Sequence, residues 1–225
     1  MSEYPPITLV MTTWITEPIR KEVAESTLQS WVNNMKYDGE LRLHVADDGS
    51  TVEWHPETIW KGPISFSRQE RRGVGASLNA GFRKAFEVSP LCGYFVDDWI
   101  CTEEIDLTPW AQLLMEREDV GIVRLGPPHP FMRGSIEIYT TNWQGWALKL
   151  ERFGLCVGHR PELFHKRFTD FYGMWDENLN ACETERLASV RYANMPGGPS
   201  IVMALPHKFF HRHSDVVPSL SEIEP

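Results

Sequence analysis

Two pairs of adjacent carboxylates carry the chemistry this sequence could do. Asp47-Asp48 closes the run LRLHVADDGS and Asp97-Asp98 closes GYFVDDW. Each follows a short run of apolar, strand-forming residues, so each is expected at the end of a β-strand. In open α/β sheets ligands bind in the crevice outside the carboxyl ends of the strands. The two pairs are therefore expected to meet at one pocket although they are distant in sequence. Paired aspartates suit Mg²⁺ or Mn²⁺, hard cations often bound through one or two carboxylates plus substrate phosphates. At Asp97-Asp98 such a cation, bridging a diphosphate, would neutralise charge on a departing nucleotide. The competing reading is a turn in which the aspartates cap the next helix. Asp47-Asp48-Gly49-Ser50 has the same alternative, Asp-Gly being a strong turn signal. Its functional reading is a carboxylate that accepts hydrogen bonds from a ribose hydroxyl or a base N–H.

Between the pairs lies RRGVGASLNAG, residues 71–81. Its glycines permit close backbone approach and its arginines, Arg72 above all, suit phosphate. No GxGxxG follows the first strand and no GK[ST] occurs, so dehydrogenase and P-loop readings drop out.

These residues need a scaffold. The chain has 225 residues, 42% hydrophobic and 24% charged, which fits one large domain over residues 1–216 with a loose tail at 217–225. Residues 7–14 (ITLVMTTW) read as a strand. A helix follows, with Thr16 as N-cap, Pro18 in its first turn, and Ile19, Val23, Leu28, Trp31, Val32 and Met35 spaced for one face. Strands are expected at 41–46, 64–67, 94–96, 121–125 and 145–150, and helices at 75–86 and 110–117. Alternating strands and helices predict an α/β fold, a three-layer, mostly parallel central sheet flanked by helices. The nucleotide-binding half would occupy about 1–125 and the acceptor half about 126–216.

Composition narrows the classes. No run approaches the length of a membrane span, and the start MSEYPPITLV lacks a secretory signal, so a soluble, cytoplasmic protein is expected. Cys92, Cys101, Cys156 and Cys182 have no framework spacing and read as buried thiols. The net charge of −9 argues against broad binding to nucleic acid. Residues 145–214, however, hold 9 Lys/Arg against 7 Asp/Glu and five of the eight histidines. Ordinary surface variation accounts for that; so would a second half that faces an anionic partner.

The order TTW, helix, HVADDGS, RRGVGASLNAG and YFVDDW resembles the family 2 glycosyltransferases, with their A-type nucleotide-sugar-binding fold, and in particular small soluble members from viruses. The match covers residues 7–99. The resemblance implies that Thr12 and Asp47 or Asp48 contact the nucleoside, that Arg72 and Asn79 lie at the diphosphate, that Asp97 approaches the ribose, and that Asp98 ligates Mn²⁺ or Mg²⁺. One departure stands out: Trp99 occupies a position where the family often has a third acid.

Further on, MWDENL and CETERL (residues 174–179 and 182–187) are similar to the family segment in which an acidic pair opens a helix and supplies the catalytic base. Thr184 takes the place of the second acid, so Glu183 and Glu185 both stay candidates, Glu183 by motif register. A solvated helix face is the alternative. In HKFFHRH (residues 207–213) a late histidine would complete the metal site, with His211 preferred over His213; surface histidines on a basic strand is the other reading. Nine tryptophans exceed the ordinary quota. Trp99, Trp143 and Trp146 stand where a sugar or base could stack, although core packing is the first reading for each.

The activity implied is metal-dependent transfer of a sugar from a nucleoside diphosphate sugar, uridine first, to a hydroxyl with inversion. The acceptor is a hydroxymethylated base in DNA, which would have to leave the stack, or else a protein or glycan. From other classes, a nucleotidyltransferase would want a Gly-rich basic loop where this chain has Thr12-Thr13-Trp14. A catalytically silent binding module is consistent with Trp99 and Thr184.

Overall fold

The computed structural model describes residues 3–126, 134–135, 146–150, 157–205 and 210–212, with backbone alone for 134–135, 146–150, 205 and 210–212. In chain order the first half contains β1 (Ile7–Thr13), α1 (Pro18–Asn34), β2 (Met35–Lys36), β3 (Leu41–Asp47), β4 (Ile64–Arg68), α2 (Val74–Phe86), β5 (Leu91–Val96), β6 (Trp99–Cys101), β7 (Ile105–Asp106), α3 (Thr108–Glu116) and β8 (Val120–Arg124). The second contains β9 (Gly134–Ser135), β10 (Trp146–Leu150), β11 (Glu162–His165), α4 (Lys166–Tyr172), α5 (Ala181–Asn194), β12 (Ser200–Leu205) and β13 (Phe210–Arg212).

A nine-stranded sheet of order β4-β3-β1-β5-β11-β8-β12-β10-β9 runs through both halves. The first four strands are parallel to one another. β11 is antiparallel to β5 and to β8, and β10 is antiparallel to β12 and to β9. Since β8 and β12 are parallel, only β10 and β11 oppose the common direction, as a mostly parallel sheet requires. The alternating pattern gave no sign of β11, because ELFH is too short and is followed at once by α4.

Side chains of successive strand residues point to opposite faces, and β5 shows how that builds three layers. Tyr94 packs edge-on against Phe82 of α2, and Phe95 packs edge-on against Trp31 of α1. Helices therefore cover both faces. Trp31, fully buried, also donates its indole N–H to the Trp99 carbonyl at 2.9 Å. The Tyr94 face extends through Phe164 and Phe168 to Tyr192 of α5. Among the described residues no helix is long and apolar enough to cross a membrane.

Details of α1 differ from the sequence reading. Glu17, not Thr16, is the N-cap, and it caps through its backbone conformation without a side-chain bond. Ile19 and Val32 are exposed, whereas Arg20, Ala24, Thr27 and Trp31 are buried. The inward stripe thus starts on a charged residue, and the site explains why. Cys92 and Cys101 are buried as expected, but Cys182 is exposed.

His44 of β3 is buried between Ser65 and Ser67 of β4, with ring nitrogens 2.8 and 3.0 Å from their hydroxyls. Burial, assisted by Lys84, pushes its pKa down to about 4. A histidine depressed on folding contributes stability that is complete above its unfolded value and lost as pH falls through the folded one. The same window applies to His165, also lowered to about 4 by burial first and then Arg167. The buried carboxyls Asp97 and Glu162, raised to about 7 and about 6, contribute with the opposite sign in the same range, so the histidine effect is read as a difference between proteins. The change in melting temperature caused by His44→Gln should be constant above pH 7 and should shift in the variant's favour as pH falls from about 6.5 to 4; a pH-independent difference would show that His44 is not a coupled group.

Candidate active site

The parallel register brings the two acidic pairs to one edge. Thr13 of β1 stands opposite Asp47 of β3, and Thr12 stands opposite Ala46 on one side and Val96 on the other. Asp48 and Asp97-Asp98 are thus the first residues past adjacent strand ends, and the Asp48 amide donates to the Thr13 carbonyl at 2.9 Å. A cavity of about 230 Å³ opens there, with Thr12, Asp48, Asp97 and Asp98 in its wall.

Asp48 is buried and organises the chain that enters α2. Its two oxygens accept from the backbone N–H groups of Arg72 and Gly73, both at 2.9 Å, and Oδ1 also accepts from Gln69 at 2.9 Å. Hydrogen bonds to a charged acceptor are among the stronger ones, each worth about 1.5–3 kcal/mol. Asp47 points elsewhere: it accepts from the amide and hydroxyl of Ser50 and lies 3.4 Å from Arg68 Nε. Of the first pair, only Asp48 reaches the cavity wall. Trp14, carrying the Arg71 guanidinium 3.5 Å over its ring centroid, closes this side with Val74 and Ser77.

Asp97 is 1% exposed and receives Arg20 Nη2 on Oδ1 at 2.9 Å. Among the described residues, Oδ2 has no hydrogen-bond partner. Burial pushes Asp97 up to about 7, Arg20 pulls against that, and adjacent Asp98 adds to the rise. An anionic oxygen left without a donor in the wall of a cavity, next to a second carboxylate, is a fit for a hard divalent cation that keeps water and phosphate as its other ligands. Among the described residues no group of three or more His, Cys, Asp or Glu side chains gathers to hold a metal.

The opposite wall comes from the second half. β11 enters the sheet beside β5 running the other way, so the residues that precede it, 157–161, sit at the strand-end edge. Tyr94 Oη and His159 Nδ1 are 2.9 Å apart, and the His159 ring stacks on Trp175. The His159 amide donates to Glu185 Oε1 at 2.6 Å, fixing that carboxylate in the wall. Arg160 follows, with its guanidinium 5.9 Å from the Trp99 ring centroid. Beneath them Arg124 and Glu162, both fully buried, form an ion pair with Nε to Oε1 at 2.6 Å; burial first, opposed by Arg124, pushes Glu162 up to about 6.

Three further expected site residues lie elsewhere. Arg72 binds Glu177 at 2.5 Å, so its guanidinium faces the 175–180 loop and not the cavity. Asn79 is buried, donates to the Trp175 carbonyl and to Glu177, and accepts from the Trp175 amide, all at 2.9 Å. Its amide, with Arg72 and Arg83, holds Glu177 below the ordinary carboxylate range. Glu183, favoured by motif register, is exposed three residues into α5 behind the Asn180 cap, and Thr184 is buried with its hydroxyl on the Asn180 carbonyl. Helix phase brings Glu185 to the cavity in their place. The backbone of His211 pairs with Ile100, close in sequence to Asp98; its side chain, the side chain of Trp146, and all of Trp143, His213 and Cys156 lie outside the described residues.

Sequence reasoning missed Arg20, Tyr94, His159 and Arg160. Arg20 had a signal, since it continues the stripe of Ala24, Thr27 and Trp31 at helical spacing. The others had none, because their roles arise from the reversed strand β11.

No protein-family model matches the sequence, and no curated protein sequence matches it. Among solved structures, it is similar to residues 1–349 of TarS from S. aureus, with a TM-score of 0.58 at 14% identity over 88% of this chain and 60% of that one. The same protein in complex with UDP-GlcNAc gives 0.57 at 14% identity, over 88% and 58%. GalNAc-T7 with UDP, GalNAc and Mn²⁺ gives 0.61 at 12% identity, over 93% and 44%. Both are glycosyltransferases of the A-type fold, which is the fold class of this chain. The chain spans less than two thirds of the length of each.

The seam between the halves is sterically tight. A Cβ on Gly75 would lie 2.1 Å from the Asp176 carbonyl oxygen, a backbone atom no rotamer can move. Gly75→Ala should lower stability by about 2 kcal/mol or more in urea denaturation, despite alanine's advantage of about 1 kcal/mol within a helix. A neutral or stabilising result would mean that the 175–180 loop does not sit against α2.

Proposed function

We propose that the protein transfers a sugar from a nucleoside diphosphate sugar, a uridine one first, to an acceptor hydroxyl. The observation that supports it best is the convergence of Thr12, Asp48, Asp97 and Asp98 on one cavity that Glu185 closes from the other half. TarS and GalNAc-T7, similar in fold, were solved with UDP-GlcNAc and with UDP and Mn²⁺.

In this reading the nucleoside lies along Thr12, Thr13, Trp14 and Asp48. Asp97 and Asp98 would hold Mn²⁺ or Mg²⁺, which when bound offsets the charge gathering on the departing diphosphate. The acceptor oxygen attacks the anomeric carbon from the side opposite the diphosphate, and the C–O bond to phosphate breaks with its electron pair leaving on the phosphate oxygen. The acceptor's proton passes to Glu185. Single displacement of this kind inverts the anomeric centre. Glu185 is suited to the role because the His159 amide holds one oxygen at 2.6 Å, so the carboxylate does not need to be ordered at the moment of transfer.

As acceptor we propose a hydroxymethylated base in DNA, supported by the mildly basic second half, with protein or glycan hydroxyls as the other class. Retention on duplex DNA at low salt checks this. Binding lost steeply with added salt is expected, and flow-through at the lowest salt would remove DNA as acceptor.

The donor reading is tested by release of UDP from a panel of UDP-sugars with Mn²⁺. Glu185→Gln should lower turnover by about 10²-fold or more with little change in UDP affinity, whereas Glu183→Gln should behave as wild type. The opposite ranking would return the base to Glu183. UDP binding without turnover across the panel would favour a silent binding module. The raised pKa of Asp97 also sets a sign: a proton competes with a cation for that carboxylate, so Mn²⁺ affinity should rise as pH increases through about 7 and level off above it. A flat profile from pH 6 to 8 would separate Asp97 from the cation.

A further inference from the structure

We infer that Arg160, on the segment entering β11, is the side chain that pairs with the diphosphate of the donor, a role that the sequence pattern assigns to Arg72. This role rests on the nucleotide-sugar reading of the cavity and goes beyond it by naming the protein's own counter-charge.

The cavity wall is rich in negative charge. Asp48, Asp97, Asp98 and Glu185 all stand in it. Like charges a few ångströms apart repel strongly where water is partly excluded, so a diphosphate entering among these carboxylates requires cations. Arg20 is engaged by Asp97 beneath the surface, and Arg72 faces Glu177 outside. Among the described residues of the cavity wall, Arg160 is the single guanidinium.

Its setting fits that role. Arg160 follows His159, whose amide is fixed by Glu185, and its own amide donates to the Gly158 carbonyl at 3.0 Å, closing a tight turn. The guanidinium lies over Trp99, the residue directly after Asp98. Gly126 packs against the pair, its missing Cβ being 3.7 Å from both Arg160 Cβ and the Trp99 ring. An indole face attracts a planar guanidinium, and a guanidinium matches phosphate in two-point contact. Where a further acid would add negative charge, Trp99 thus supports a positive one.

The test is calorimetric titration of the full chain with uridine and with UDP, in EDTA and again with Mn²⁺. Arg160→Ala should weaken UDP at least about 10-fold in both conditions and leave uridine unchanged, and Arg160→Gln, which keeps the stem over Trp99, should give the same pattern. The dependence of UDP affinity on salt should be shallower in both variants. Unchanged UDP binding, or equal losses for uridine and UDP, would overturn the assignment; so would unfolding of both variants, which would make Arg160 structural. Wild-type protein that binds neither ligand would instead overturn the nucleotide-sugar reading itself.

Discussion

A carboxylate removed from water must be matched by a positive charge or take up a proton, and the pair Asp97 and Arg20 meets that demand in the wall of the cavity. Much of the first half follows from it. Arg20 reaches β5 only if α1 lies across the face that carries Phe95, and that orientation puts Trp31 against Phe95 and its indole N–H on the backbone of Trp99. Ile19 and Val32 are displaced to the surface by the same rotation. Burial nevertheless raises Asp97 to about 7, so that near neutral pH a small change of surroundings decides its charge.

A second constraint joins the halves. Asp48 draws the amides of Arg72 and Gly73 inward, so that α2 begins against the 175–180 loop. There the chain has glycine at residues 73 and 75, where the carbonyls of Leu179 and Asp176 leave no room for a side chain. Asn79 completes the seam by donating to and accepting from the backbone of Trp175. What resembles a phosphate-binding sequence is, in the folded protein, largely a clamp that presents α5 and its Glu185 to the first half.

The sequence was most informative where local signals and fold agree. ITLVMTT, LRLHVAD and LCGYFV are strand-forming runs ended by polar residues, and they form the three adjacent strands that carry the acids. The helical phase of α2 was equally readable. Two kinds of feature were not. The inward turn of Arg20 depends on a partner 77 residues away, and an apolar-stripe reading passes over a charged residue. The second wall depends on β11, a four-residue strand whose direction no local pattern encodes, so motif register favours Glu183 over Glu185 and nothing points to His159 or Arg160.

That reversed strand separates two jobs that a parallel strand would combine. A parallel strand reaches the crevice only after its buried residues have been laid down, and its loop must then lead straight into a helix that packs on the sheet. In β11 the crevice residues come first, held by one turn, and Leu163 and Phe164 enter the core behind them. Residues 158–160 are thereby relieved of any duty to start a helix. A change at those three positions would alter the crevice wall directly, while Leu163 and Phe164 keep the interior behind it unchanged.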